Sequence, residues 1–160
     1  MNLFLVKFFQ YFLRIFFGVS VEGRLPLRGK TEQCIIVANH NSHLDVFLIS
    51  FLLSISQMKQ THAVAAEDFF KKGFFGRMAG WCFNPVLIKR QKVKNKAENP
   101  LQPVYEALHA GKSLIVFPEG TRGNPGELAQ FKRGIGFVAQ QYPQLPIYSA
   151  VIQSNARYIQ

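Results

Sequence analysis

Acidic residues are scarce in this chain: nine Asp and Glu stand against nineteen Lys and Arg, leaving a formal charge of +10. That imbalance implies a polyanionic partner, whether phosphate-bearing lipid, a coenzyme or nucleic acid. Cysteine is also scarce. Cys34 and Cys82 each sit in an apolar stretch, so buried thiols in a reducing compartment are expected in preference to a disulfide framework. With 160 residues there is too little chain for two ordinary domains, and enough for one with a hydrophobic core. Internal repeats and low-complexity linkers are absent. No apolar run reaches the roughly 20 uninterrupted residues of a comfortable membrane span.

What the chain has in excess is phenylalanine, sixteen in all, an unusual load of aromatic hydrocarbon for a small nucleic-acid module. Membrane lipid fits both the aromatic and the basic excess. The first seventeen residues, MNLFLVKFFQYFLRIFF, are apolar except for Asn2, Lys7, Gln10 and Arg14. On a helix, Lys7, Gln10 and Arg14 fall on one narrow stripe, which reads as the wet edge of a helix lying in a membrane interface. A core helix is the plain alternative. Basic residues interrupt the run and no small-x-small cleavage pattern follows it, so a cleaved signal peptide is not expected. The expected division is an N-terminal amphipathic membrane helix over 1–19 and one domain over 20–160.

Past Gly18, short β-branched runs alternate with helical stretches, as a parallel or mixed α/β sheet flanked by helices requires. Strands are expected at 34–38, 62–66, 85–89, 113–117 and 146–152, and helices at 43–55, 67–79, 100–110 and 134–142. Gly111 stands where a helix stop is wanted. Ligands of such sheets gather beyond the carboxyl ends of the strands. Two of the expected strand ends carry the chain's most unusual residues.

The first follows CIIVA: Asn39-His40-Asn41-Ser42-His43-Leu44-Asp45. His40 and Asp45 lie five apart, about 140° on a regular helix, so contact between them needs a turn. A strand-to-helix junction supplies one. The carboxylate then accepts the proton of one ring nitrogen and leaves the other to act as a base. Ser42-x-x-Asp45 also reads as a helix capping box, and the two readings are compatible. As metal ligands, His40, His43 and Asp45 lack a residue elsewhere to complete the set.

The second follows SLIVF: Phe117-Pro118-Glu119-Gly120-Thr121-Arg122. Pro at its second position and Gly at its fourth suit a plain type I turn. Such a turn leaves Arg122 unexplained. With Lys132 and Arg133 ahead of the next helix, Arg122 can hold a phosphate through its guanidinium, ammonium charge and backbone amides. Glu119 suits a substrate hydroxyl or Arg122 itself. VLIKR at 86–90 offers a second strand-end cation, Arg90. In EDFFKKGFFGR at 67–77, aromatic pairs interleave with Lys71, Lys72 and Arg77; core packing accounts for part, and lipid contact is expected of the rest.

NHNSHLD at 39–45, FPEGTR at 117–122, VLIKR at 86–90 and LPIYSAV at 145–151, in chain order, resemble the four blocks of the glycerolipid acyltransferase family that includes lysophosphatidate acyltransferases. The N-H-x4-D and F-P-E-G-T-R pair is highly specific, and the resemblance covers about residues 20–155. It implies that His40 is the general base, that Asp45 orients it, and that Glu119, Gly120, Thr121 and Arg122 hold the acyl acceptor, with Arg90 as a phosphate contact. It further implies a lysophospholipid acceptor such as lysophosphatidate. The donor is acyl-CoA or acyl carrier protein, entering as a substrate, and no other cofactor and no metal is needed. Membrane phospholipids are the expected surroundings, at the cytoplasmic face of a membrane, with no nucleic acid among the partners. A catalytically silent lipid-phosphate binder or scaffold is the alternative. An intact His40 and Asp45 count against it.

Overall fold

Strands separated by helices cannot pair as hairpins, so each must return through a crossover and lie parallel to its neighbours. The structure, a computed structural model, describes residues 2–23, 32–68, 80, 84–89, 99–123 and 127–153. Along these residues run helix α1 (Leu3–Phe17), strand β1 (Ile35–Ala38), helices α2 (Asp45–Ser50) and α3 (Ile55–Gln60), and strands β2 (Thr61–Ala66) and β3 (Val86–Ile88). Helix α4 (Gln102–His109), strand β4 (Ser113–Val116), helix α5 (Gly134–Gln141) and strand β5 (Ile147–Ala150) follow. The sheet order is β3-β2-β4-β1-β5, and every pairing is parallel. β1 lies between β4 and β5, with Ile35 opposite both Leu114 and Ile147.

A parallel sheet must be covered on both faces, and alternation along the strands supplies two apolar surfaces. Ile36, Ala38, Ala63 and Ile115 point to one side, where they pack with Phe47, Ile49 and Met58 of α2 and α3 and with Val6 and Leu13 of α1. Ile35, Val86 and Leu114 point to the other, against Val104, Ala107 and Leu108 of α4 and Val138 of α5. Cys34 is buried beside β1 as a free thiol, and burial pushes its pKa up. At the end of α4, Gly111 takes φ +75°. Its amide donates to Leu108 O at 3.0 Å and that of Lys112 to Ala107 O at 3.1 Å, the paired bonds of a left-handed helix stop.

Two expectations need correction. The helix expected over 43–55 ends at Ser50, where the amides of Phe51, Leu52 and Leu53 each reach back only three residues and tighten the chain out of the α-helix. Ser54 then starts a new helix: its hydroxyl accepts from Gln57 N and Gln57 Oε1 accepts from Ser54 N, a reciprocal cap. The polar stripe of α1 is also not a uniformly wet edge. Gln10 is only 7% exposed because Val6, Gln10 and Leu13, at helical spacing, share the face that docks on α2. Its amide donates to Ser50 Oγ at 2.9 Å, and Lys7 Nζ donates to Gln10 Oε1 at 2.9 Å.

The remainder of α1 exposes hydrocarbon, with Phe4 at 78% and Phe8, Tyr11, Ile15, Phe16 and Phe17 also largely open. No described helix is long and apolar enough to cross a membrane. The aromatic-basic stretch at 69–77, Cys82, Arg90 and the basic run at 91–96 lie outside the described residues. Phe47 is 1% exposed and meets the Phe9 ring at 4.8 Å, so it ties α1 to α2. Phe47→Ala is expected to lower unfolding free energy by about 3–5 kcal/mol in urea titration. Phe4→Ser should change it by no more than about 0.5 kcal/mol.

Candidate active site

β1 ends at Ala38, and the chain must turn before α2 begins at Asp45. That turn is built around one carboxylate oxygen. Asp45 Oδ2 accepts from Asn41 N at 2.7 Å and from Ser42 N at 2.8 Å, and lies 2.9 Å from His40 Nδ1. Asp45 is 1% exposed, and a buried carboxylate is stable only when its lone pairs are met by donors. The capping reading is half fulfilled: Asp45 reaches back to Ser42 N, while Ser42 Oγ accepts from Leu44 N at 3.2 Å. An ionised carboxylate can only accept, so the Nδ1 that faces it is the protonated nitrogen, and in the neutral ring the lone pair then lies on Nε2. The His40 ring is further held by stacking on Phe117, with centroids 4.3 Å apart and planes 22° from parallel. Asn39 clamps the neighbouring strand end, donating to Ile152 O at 2.9 Å and accepting from Ile152 N at 2.7 Å.

Phe117 belongs to the second stretch, which turns sharply after β4. Gly120 N donates to Phe117 O at 3.0 Å, and Gly120 takes φ +68°, where a side chain is strained. The bare Cα also admits Lys132, whose side-chain carbons and Nζ lie 3.0 Å from where a Cβ would stand. Lys132 N donates to Pro118 O at 2.8 Å, fixing the stem of that lysine.

Glu119 has a different setting from a hydroxyl or guanidinium ligand. It is 2% exposed, with Oε1 accepting from His40 N at 2.9 Å and Oε2 from Ala129 N at 3.3 Å. It therefore latches the His40 turn to the loop that carries Lys132. Gly123 N donates back to His40 O at 2.9 Å, closing the same knot.

Arg122 reaches across to the first stretch: its Nη1 lies 2.6 Å from His43 Nε2. Burial, then the charges of Arg122 and His40, hold the His43 pKa below the ordinary 6.5, with Asp45 opposing. His40, His43, Gly120, Arg122 and Lys132 all line a cavity of about 780 Å³, which is lined as well by apolar side chains including Ile88, Val104, Val116 and Ile135. Of the residues singled out in the sequence, the structure thus brings His40, Gly120, Arg122 and Lys132 to one cavity, with Asp45 directly behind His40. Glu119 and Thr121 are not on its wall, and Arg90 lies outside the described residues. The backbone amides of Asn41 and Ser42 are engaged by the Asp45 carboxylate, and that of Gly120 by the Phe117 carbonyl. Two contributors went unread in the sequence: the stacking role of Phe117, and His43 as a partner of Arg122 rather than a metal ligand.

In class, this is a parallel α/β domain whose polar groups converge beyond the strand ends, at the mouth of an apolar cavity. The chain belongs to the acyltransferase family, whose model matches residues 18–153. It is 31% identical over 139 residues to a 1-acyl-sn-glycerol-3-phosphate acyltransferase of Cocos nucifera, covering 84% of this chain and 41% of that protein. A Haemophilus influenzae protein of the same name is 28% identical over 150 residues, covering 91% of this chain and 60% of that one. Among solved structures, the 1-acyl-sn-glycerophosphate acyltransferase PlsC of Thermotoga maritima superposes with a TM-score of 0.60 at 27% identity, over 89% of this chain and 55% of that one. The chain thus spans between 41% and 60% of the length of these relatives.

Removing the Glu119 side chain takes the acceptor from two part-buried backbone amides at once. Glu119→Ala is expected to cost about 1–3 kcal/mol of unfolding free energy, measured in urea. An unchanged midpoint would show that neither amide depends on it.

Proposed function

We propose that this domain transfers a fatty acyl group from a thioester donor, acyl-CoA or acyl carrier protein, to the free hydroxyl of a lysophosphatidate-type acceptor at a membrane surface. The observation that carries the reading is the shared cavity mouth: a carboxylate-oriented His40 and the Arg122 and Lys132 cations stand on one rim, above apolar walls. An amphiphile with an anionic head meets complementary groups there. A guanidinium can bind two phosphate oxygens in parallel, and an ammonium adds charge.

With the head held, His40 Nε2 takes the hydroxyl proton as the oxygen attacks the thioester carbonyl. The new C–O bond forms, the tetrahedral intermediate collapses, and the C–S bond breaks. The thiolate leaves and the imidazolium releases its proton to it or to water. Asp45 keeps the ring oriented throughout and stabilises the imidazolium as it forms. No covalent acyl-enzyme is needed.

The membrane enters through α1. Its outward face of Phe4, Phe8, Phe12 and Phe16 suits insertion at the boundary between headgroups and acyl chains, and exposed Lys7 and Arg14 suit anionic lipid at the cytoplasmic face. One face of the helix anchors in the protein and the other in lipid.

With lysophosphatidate and labelled acyl-CoA, His40→Ala is expected to abolish transfer, and Asp45→Asn to lower kcat by about 10²–10⁴. Sedimentation with anionic vesicles should be unchanged in both. Turnover at the wild-type rate in His40→Ala removes that residue from the mechanism. In the same sedimentation assay, Phe4→Ser with Phe16→Ser should lower vesicle binding without moving the urea midpoint; equal binding would put the lipid contact elsewhere.

A further inference from the structure

His43 occupies one of the interior positions of the N-H-x4-D stretch, and the mechanism above gives it no task. In the structure it joins two segments 79 positions apart: its Nε2 lies 2.6 Å from Arg122 Nη1. A guanidinium has five N–H donors and no acceptor, so the imidazole must accept. It does so only when neutral, with its proton on Nδ1. Both residues line the cavity mouth. An exposed arginine side chain samples many rotamers, and ordering it when a ligand arrives weakens binding. The contact to His43 orders it beforehand. It uses one N–H of Nη1, and the Nε and Nη2 edge keeps its parallel pair of donors for an anion.

We propose that His43 is a positioning residue for the acceptor's anionic head: neutral, it holds the Arg122 guanidinium at the cavity mouth, and protonated, it repels it. Acceptor binding then has an acid limb of its own, separate from the chemical step at His40. This rests on the acyl-transfer reading only in taking the acceptor to be a phosphate-bearing lysolipid.

The electrostatic surroundings favour such a division. Acting on His43 are Arg122 from the loop after β4 and His40 and Asp45 from its own turn, and the charged residues Lys132 and Asp68 line the same cavity. Burial, with the Arg122 guanidinium beside it, outweighs Asp45 and holds the His43 pKa below the ordinary value, which favours the neutral imidazole at neutral pH. The sign follows from that direction. The His43–Arg122 contact is complete above the ordinary histidine value and is lost as pH falls through the lowered one, whereupon two like charges face each other at the mouth.

The test is equilibrium binding of lysophosphatidate in neutral detergent micelles to the full chain, alongside steady-state transfer from acyl-CoA, from pH 5 to 8. Wild type, His43→Ala, His43→Gln and Arg122→Gln are compared. At pH 7.5, His43→Ala should weaken binding and raise the acceptor KM by about three- to tenfold, with kcat within about twofold. His43→Gln, whose amide oxygen accepts from a guanidinium at any pH, should restore both. Toward pH 5, wild type should lose affinity faster than His43→Gln, the acceptor's own titration being common to the two. In the Arg122→Gln background the His43 substitutions should have no effect on binding. A fall in kcat in place of a rise in KM, parallel pH profiles for wild type and His43→Gln, or an undiminished His43→Ala effect without Arg122 each overturns the proposal. Binding without turnover in wild type would end the acyl-transfer reading and leave the role of His43 to be decided by the binding constants. An absence of binding in wild type overturns both.

Discussion

One oxygen atom organises the site. Asp45 Oδ2 collects two backbone amides and a ring nitrogen within 2.9 Å, inside a protein wall that leaves the residue 1% exposed. Take away the carboxylate and two amides lose their acceptor, the turn after β1 loses its shape, and the His40 ring loses both orientation and tautomer. Because a buried charge is tolerated only when donors meet it, this arrangement forms as a unit. Glu119 repeats the device one strand away, where its two oxygens tie the His40 amide to Ala129. Asp45 thus shapes the turn after β1 and Glu119 ties that turn to the end of β4, and the exposed cations around them are carried on a rigid base.

The sheet divides the remaining labour. α1, α2 and α3 cover one face and bring lipid-suited hydrocarbon to the outside, whereas α4 and α5 cover the other. The cavity draws most of its apolar walls, including Val64, Ile88, Val104 and Val116, from the α4 and α5 side. Polar chemistry is confined to the carboxyl ends, where a parallel sheet leaves loops and unpaired backbone groups. The long-range bonds Asn39–Ile152, His40–Glu119 and Arg122–His43 all cross that end.

β1 and β4 were legible because each is a short apolar run largely buried on both faces, and such runs have few alternatives. The break between α2 and α3 was not. Apolar residues continue through Phe51–Leu52–Leu53, so periodicity alone carries the helix past Ser50, and the decisive signal is the Ser54-x-x-Gln57 cap. Lys7, Gln10 and Arg14 were correctly placed on one stripe of α1, but a stripe does not say which neighbour it meets. The hydroxyl of Ser50 drew Gln10 inward. Within the site, His40 and Asp45 were readable since contact across four intervening residues needs a turn, and the junction between β1 and α2 supplies one. The inward setting of Glu119 and the pairing of His43 depend on segments far apart in sequence, and no local pattern announces either.

The account stands on the ring of His40 being protonated at Nδ1, where Asp45 accepts, and bare at Nε2, where an alcohol must be deprotonated. Nitrogen-15 NMR of the histidine-labelled chain at pH 8, with the His40 signals assigned by comparison with His40→Gln, reads this directly. The predicted result is a protonated, pyrrole-type shift at Nδ1 and an unprotonated, pyridine-type shift at Nε2, with that preference weakened in Asp45→Asn. A His40 ring protonated at Nε2 in the wild-type chain would contradict it.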